Sequence, residues 1–272
     1  MEFVDKALAR RLEAAEEIPQ VQYALGYQKL RPEVGAAVEQ ICGGHMIFAG
    51  LGSPVGRATG LGLDRPFTPE VLDQVEAFYR SHGAPAQVDV CPLHEPELFE
   101  VIKQRGYALA ELNNVLFRRL RIEEDPPPPP PGVRIRRGRP EEAPTLAAIV
   151  ARCFAEYGPP PEGFEAMLLP NYQFAGSISF VASVDGRAVG VGAGLLIPEH
   201  KIVALFGAGT LPEFRGRGIQ TALLGFRTHL AAQEGCEFAV IVTRGGTTSQ
   251  RNAERVGFRV AYSKATLVKT IS

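Results

Sequence analysis

The chain has 272 residues, 45% of them hydrophobic and 22% charged, and its 29 basic side chains nearly cancel its 30 acidic ones. Such a composition builds a real core, in one large domain or two ordinary ones, and gives no electrostatic bias toward nucleic acid or an anionic membrane. Cys42, Cys91, Cys153 and Cys236 stand singly, and the five histidines show no ligand spacing. A zinc site, a disulfide framework and a metal centre are therefore not expected, and a reducing cytoplasm is. The opening "MEFVDKALARRLEAAEE" is a charged, alanine-rich amphipathic pattern without a signal-peptide core, and no apolar run reaches bilayer length.

In chain order, "GLGSPVGRATGLGL" (50–63) is glycine-rich, but no helix follows it at once, so it is a weak phosphate candidate. The pattern then predicts a helix in "TPEVLDQVEAFYRSHG", a strand in "AQVDVC", a helix in "EPELFEVIKQR" and a strand in "GYALAELNNVLFRRL". "EEDPPPPPPGV" (123–133) follows, and its six prolines favour an extended spacer, the alternative being an ordered proline-rich surface loop within one domain. The expected division is a domain at 1–122, a linker at 123–132 and a second domain at 133–272.

Past the prolines, "GVRIRR" reads as a strand and "PEEAPTLAAIVARCFAEY" as a helix entered through Pro140. "SISFVASVDGRAVGVGAGLLI" is two strands joined at Asp185-Gly186, a dipeptide suited to a primed hairpin turn. "KIVALFGAGTL" is a strand weakened by Gly207 and Gly209, which suggests a bulge or a close approach of backbone to a ligand. A helix with apolar Ile219, Ala222, Leu223, Phe226 and Leu230 follows and stops near Gly235. "EFAVIV" is a buried strand, "TTSQRNAERV" a short helix and "GFRVAYSKATLVK" a last strand. The fold class is α/β (α+β), with mixed strand directions. Both halves end in strand, short helix, a Gly-aromatic pair (Gly106-Tyr107, Gly257-Phe258) and a long strand, which reads as a diverged duplication. "RIRRGR" (134–139) is a basic run whose alternation fits a solvated edge strand better than a nucleic-acid patch.

The functional signal is "LPEFRGRGIQTALL" (211–224). A strand running through a glycine turn into a helix offers unpartnered N–H groups and positive dipole charge to an anion. Gly216 and Gly218 permit close approach, and Arg215 and Arg217 add charge. Taken alone, the same letters also describe a solvated basic turn. There is no G-x-x-x-x-G-K-[ST], and no G-x-G-x-x-G opening a βαβ unit.

"TLPEFRGRGIQTALL" resembles the acyl-CoA-binding motif R/Q-x-x-G-x-G/A of the GNAT acyltransferase superfamily, with Gln220 in place of the small last residue. "SQRNAERVGF" (249–258) resembles the short helix and Gly-Phe that follow it there. The N-terminal half lacks the signature, so the chain resembles a tandem GNAT protein with a degenerate first copy. The resemblance implies that acetyl-CoA, or another acyl-CoA, lies between "KIVALFGAGTL" and "EFAVIV". Gly209, Thr210 and Leu211 would pair with the pantetheine arm. The N–H groups from Arg217 through Gly218, Ile219, Gln220 and Thr221 to Ala222 would receive the pyrophosphate, and Ser249 and Asn252 could face the cofactor arm. It implies an N-acyltransferase acting on a primary amine of a small molecule or peptide, by direct attack. The alternative is an inactive acyl-CoA-binding or sensing protein.

Catalytic residues stay unassigned. The strand 202–209 carries no acid or histidine, Glu199 and His200 sit at its far end, and Glu213 lies in the turn. The family's usual tyrosine position falls on Ala253, Tyr262 fits a packed aromatic better than a proton donor, and Cys236 opens a buried strand. Neither a nucleic-acid partner nor a membrane is expected, and homodimerisation is left open.

Overall fold

A computed structural model describes residues 2–94, 97–155, 160 and 163–270. The chain forms two compact units. The first comprises 1–115, 242–245 and 260–272, and the second 116–241 and 246–259. This differs from the expected 1–122 and 133–272 division. The last strand, placed by its sequence in the second domain, belongs to the first unit, and the 123–132 segment belongs to the second.

In the first unit, helix α1 (Lys6–Leu30) starts at Asp5, whose side chain accepts the Leu8 N–H at 2.8 Å. Strands β1 (Ala37–Ile41) and β2 (Gly44–Phe48) form a hairpin across Cys42 and Gly43, both at positive φ. Strand β3 (Ala58–Thr59), helix α2 (Pro69–Ser81), strand β4 (Ala86–Val90), helix α3 (Glu97–Gln104) and strand β5 (Ala108–Arg119) follow. Only residues 108–115 of β5 lie in this unit. β1–β2 and β2–β3 are antiparallel, and β3–β4 is parallel. The core gathers Met46, Phe48, Leu72, Val75, Phe78 and Val88.

The second unit holds β6 (Val133–Arg137), α4 (Ala143–Phe154), α5 (Phe164–Leu168), β7 (Ser177–Val184), β8 (Arg187–Ile197), β9 (Ile202–Thr210), α6 (Ile219–Gln233), β10 (Phe238–Arg244, in this unit to Ile241) and α7 (Thr248–Arg255). Its strands follow the order β10-β9-β8-β7-β6, so β6, with the basic run, is the edge. β7–β8 and β8–β9 are antiparallel and β9–β10 parallel, the connectivity of β1 to β4 repeated. The hairpin turns at Asp185 and Gly186, both at positive φ as a type I′ turn needs. Helix α4 packs on β8 and β9, and α6 packs on β7, β8 and β9. Residues 156 and 157 of the helix expected to end at Tyr157 lie outside the described residues. Strand β11 (Arg259–Lys269) follows; from Val260 it belongs to the first unit, where Ala265–Lys269 pair with β4.

The proline stretch is not a free spacer. Pro127 lies on α6 where Gly225 has no Cβ: a Cβ there would sit 2.2 Å from Pro127 Cδ. His229 Nδ1 meets Glu124 O at 3.0 Å, and Arg118 pairs with the Glu124 carboxylate. Polyproline backbone has no internal hydrogen bonds, so side-chain packing and these flanking bonds hold it in place. Among the described residues, no helix is long and apolar enough to cross a membrane, and no cluster of three or more His, Cys, Asp or Glu could hold a metal.

Candidate functional site

The ladder between β9 and β10 joins Ile202–Ala204 to Phe238–Val240. Beyond it β9 changes character, from fully buried residues to half-buried Phe206, Gly207, Ala208 and Gly209. The β8–β9 register shifts between Val191 and Ala193, and Gly207 takes φ +51 in the resulting bulge. The bulge expected from the glycines is therefore present at Gly207. Gly209 has a different cause. A Cβ there would lie 2.4 Å from Cys153 Cβ and 2.9 Å from its Sγ, so the missing side chain makes room for α4.

After Thr210 the chain makes one 3-10 turn over Pro212–Phe214 and reaches Arg215. The Arg215 guanidinium donates to Thr210 O (3.2 Å) and to Cys153 O (2.8 Å), which ties the loop to the ends of β9 and α4. Arg217 stacks over the Phe214 ring, 5.1 Å from its centroid. Arg187 lies 5.4 Å from the same ring and bonds Glu213 at 2.8 Å. Glu213 is held below the usual carboxylate range by a bond to its own backbone N–H and by Arg187.

Gly216 (φ +76) and Gly218 (φ +78) both need the left-handed region, which costs an L side chain about 1–2 kcal/mol. A Cβ on Gly216 would meet nothing within 4 Å, whereas one on Gly218 would touch Pro130 Cγ at 3.5 Å. Gly218 caps α6, and the first intrahelical bond runs from Ala222 N–H to Gly218 O at 3.0 Å. The N–H groups of Ile219, Gln220 and Thr221 precede it and have no intrahelical acceptor. Ile219 and Ala222 are buried in the core. Thr210 Oγ1 and Gln220 Oε1 are buried without a partner among the described residues. A buried polar atom left this way is costly unless a ligand or water completes it, and both atoms bracket the loop. The loop thus fits an anion that accepts from backbone N–H groups.

Helix α7 packs against α6. It begins with reciprocal capping: Thr247 accepts Gln250 N–H (3.2 Å), and Gln250 Oε1 accepts Gly246 N–H (2.8 Å). Ser249 is exposed and Asn252 half-buried, and neither bonds to the 209–222 segment among the described residues. Ala253 is fully buried in the core with Leu224, Ala239 and Phe258. Glu199 and His200 lie in a 3-10 turn at the opposite end of β9. Cys236 is buried, and burial pushes its thiol up to about 11, which fits a packing residue. Tyr262 lies in the first unit and donates to Glu13 Oε1 at 2.7 Å; burial raises its pKa further.

Sequence reasoning missed Arg227. Its side chain is 1% exposed and bonds Ala193 O (2.7 Å) and Leu223 O (3.1 Å), with Nη2 unpartnered. The guanidinium fills the space of the absent Gly192 side chain. Burial pulls its pKa down to about 10, so it stays charged at neutral pH. The glycines at 190, 192 and 194 in β8 were the available signal, since their alternation leaves one face of the strand bare.

The model of the acetyltransferase (GNAT) family matches residues 144–258, which hold the bulge, the glycine loop, α6 and α7. No curated protein matches the chain. Among solved structures, a GCN5-related N-acetyltransferase from Kribbella flavida aligns over 93% of this chain and 96% of its own, with TM-score 0.62 and 17% identity. A tandem GNAT protein from the clavulanic acid biosynthesis pathway aligns over 86% and 78%, with TM-score 0.61 and 13% identity. A GCN5-related N-acetyltransferase from Sphaerobacter thermophilus aligns over 74% and 66%, with TM-score 0.56 and 20% identity. At these identities the likeness is one of fold. Residues 144–258 thus match the GNAT acetyltransferase family model, and the fold of the chain is shared with GNAT proteins, a tandem one among them.

Proposed function

We propose that the protein is an acyl-CoA-dependent N-acyltransferase that moves an acetyl group from acetyl-CoA to a primary amine of a small molecule or peptide. The observation that carries this reading is the glycine turn at 215–218, which delivers the open N–H groups of α6 beside the half-buried end of β9. A pyrophosphate at Arg217–Ala222 accepts from the N–H groups of Ile219, Gln220 and Thr221. The pantetheine arm then follows Leu211, Thr210 and Gly209 back along β9, and Thr210 Oγ1 gains a partner. Arg215 acts through the carbonyls it holds, keeping the turn in register with β9 and α4. The amine attacks the thioester carbonyl carbon, a C–N bond forms, the C–S bond breaks with coenzyme A leaving as the thiolate, and the amine's proton passes through water to give the free thiol.

A second reading, acyl-CoA binding without turnover, draws on two observations. Strand 202–210 has no titratable side chain, and Ala253 is sealed in the core. A thermal-shift series with acetyl-CoA, coenzyme A, ATP and NAD tests the common ground. Ligand at 100 times its dissociation constant adds about 2.7 kcal/mol, so a shift with the two coenzyme A species and none with ATP or NAD is expected. No shift with either would remove both readings. Free thiol release across an amine panel then separates them: release supports transfer, and persistent silence with good binding supports the sensor.

A further inference from the structure

The first unit repeats the connectivity of the second, with β3 parallel to β4 and joined to it at Ala58 and Val88. The two openings that follow are built from opposite chemistry. In the second unit the free end of β9 is Phe206-Gly207-Ala208-Gly209, without a charge. In the first, Arg57 and Thr59 flank Ala58 on one side, and Asp89 and Cys91 follow Val88 on the other.

Asp89 is buried and Arg57 half-buried, and both are ion-paired, while Arg57 Nε, Asp89 Oδ2 and Thr59 Oγ1 have no hydrogen-bond partner among the described residues. Asp89 is 3% exposed; its Oδ1 accepts from Thr266 Oγ1 at 2.6 Å and lies 3.4 Å from Arg57 Nη1. Lys264, 2% exposed, places Nζ 3.6 Å from Asp89 Oδ2 and 3.2 Å from Glu13 Oε2, and also pairs with Glu16. An uncharged pantetheine arm entering here would leave ions buried without partners, the costly way to break such a network.

The turn after β3 carries an independent obstacle. Gly60 lies against the carboxylate of Glu17, so close that a Cβ there would be 2.5 Å from Oε2. Glu17 is 2% exposed, and its oxygens are engaged by Arg10 (2.6 Å) and His45 (2.7 Å). A phosphate at this turn would face a buried carboxylate whose hydrogen-bond partners are already taken. Helix α2 does not start at the turn either: it begins at Pro69, and proline in its first turn has one N–H fewer to offer.

We infer that the chain takes up one acyl-CoA, in the second unit, and that the matching opening of the first unit is closed by its own ion pairs. This rests on the proposed acyl-CoA reading. Calorimetric titration of the full chain with coenzyme A should give one site per chain, lost in Gly218→Val and unchanged in Glu17→Gln. Two sites would overturn this inference and leave the acyl-CoA reading standing; no site would overturn both. Should Gly218→Val fail to fold, hydrogen exchange on the unaltered chain decides. Protection by coenzyme A confined to peptides covering 209–222 supports the inference, and protection of peptides covering 57–64 or 86–91 overturns it.

Discussion

Replacing Gly225 by alanine sets two effects of opposite sign against each other. Glycine inside a helix is about 1 kcal/mol worse than alanine, so on an open face of α6 the change would stabilise the protein. Here the new Cβ would fall 2.2 Å from Pro127 Cδ and 2.8 Å from its Cγ. Ordinary carbon contacts lie near 3.5–4.0 Å, so the proline segment or the helix must move by more than an ångström. Overpacking of that kind costs about 1–3 kcal/mol. Subtracting the helix gain leaves a net loss of about 1 kcal/mol, read as a fall in Tm of about 2–4 °C for a chain of this size. Pro127→Ala removes Cγ and Cδ, so in that background Gly225→Ala should turn neutral or stabilising, with a coupling of about 2 kcal/mol between the sites. Urea titrations of the four variants, followed by circular dichroism at constant m, measure the cycle. A stabilising Gly225→Ala in the unaltered chain, or additive single changes, would refute the docking of the prolines on α6.

Three further outcomes follow from the same geometry. Gly218→Val places a β-branched residue at φ +78, so the folded protein should lose about 1–2 kcal/mol and the coenzyme A thermal shift should vanish; a variant that keeps the full shift would disprove the loop assignment. Arg227→Met removes a buried charge that has no acidic partner among the described residues, so its denaturation midpoint should stay within about 1 kcal/mol of the parent or rise; a loss of several kcal/mol would mean that the bond to Ala193 O dominates. Glu142 is held down to about 2 by Arg136 and by the Arg139 N–H. A depressed carboxylate pKa stabilises the fold above the unfolded value, near 4.5, and the gain is lost as pH falls through about 2. Because the pair is at the surface, Glu142→Gln should cost only about 0.5–1 kcal/mol at pH 7, and the gap should close below pH 2.

The sheet of the second unit could be read from the letters because its signals are local. Asp185-Gly186 announces a primed turn, β7 and β8 are long, and Gly218 and Gly235 bracket the apolar spacing of α6. The hairpin of β1 and β2 escaped notice because its turn is Cys42-Gly43, and cysteine is not a residue that advertises positive φ. Strand β3 is two residues long, too short for any periodicity. In the loop, the letters gave the positions of Gly216 and Gly218 but not what Arg215 bonds, nor that Gly209 yields to Cys153. Those depend on where α4 lands, which no local pattern encodes. The docked prolines escaped for the same reason, since the decisive residue is Gly225, a hundred positions downstream.

Strand β11 also fixes an order of events during synthesis. β4 emerges early, yet its antiparallel neighbour at Ala265–Lys269 is made only after the whole second unit. The second unit has all of its residues once Arg259 is out, whereas the first still lacks a strand. A chain released vectorially therefore completes its later unit before its earlier one, and until residues 265–269 arrive β4 presents an unpaired edge.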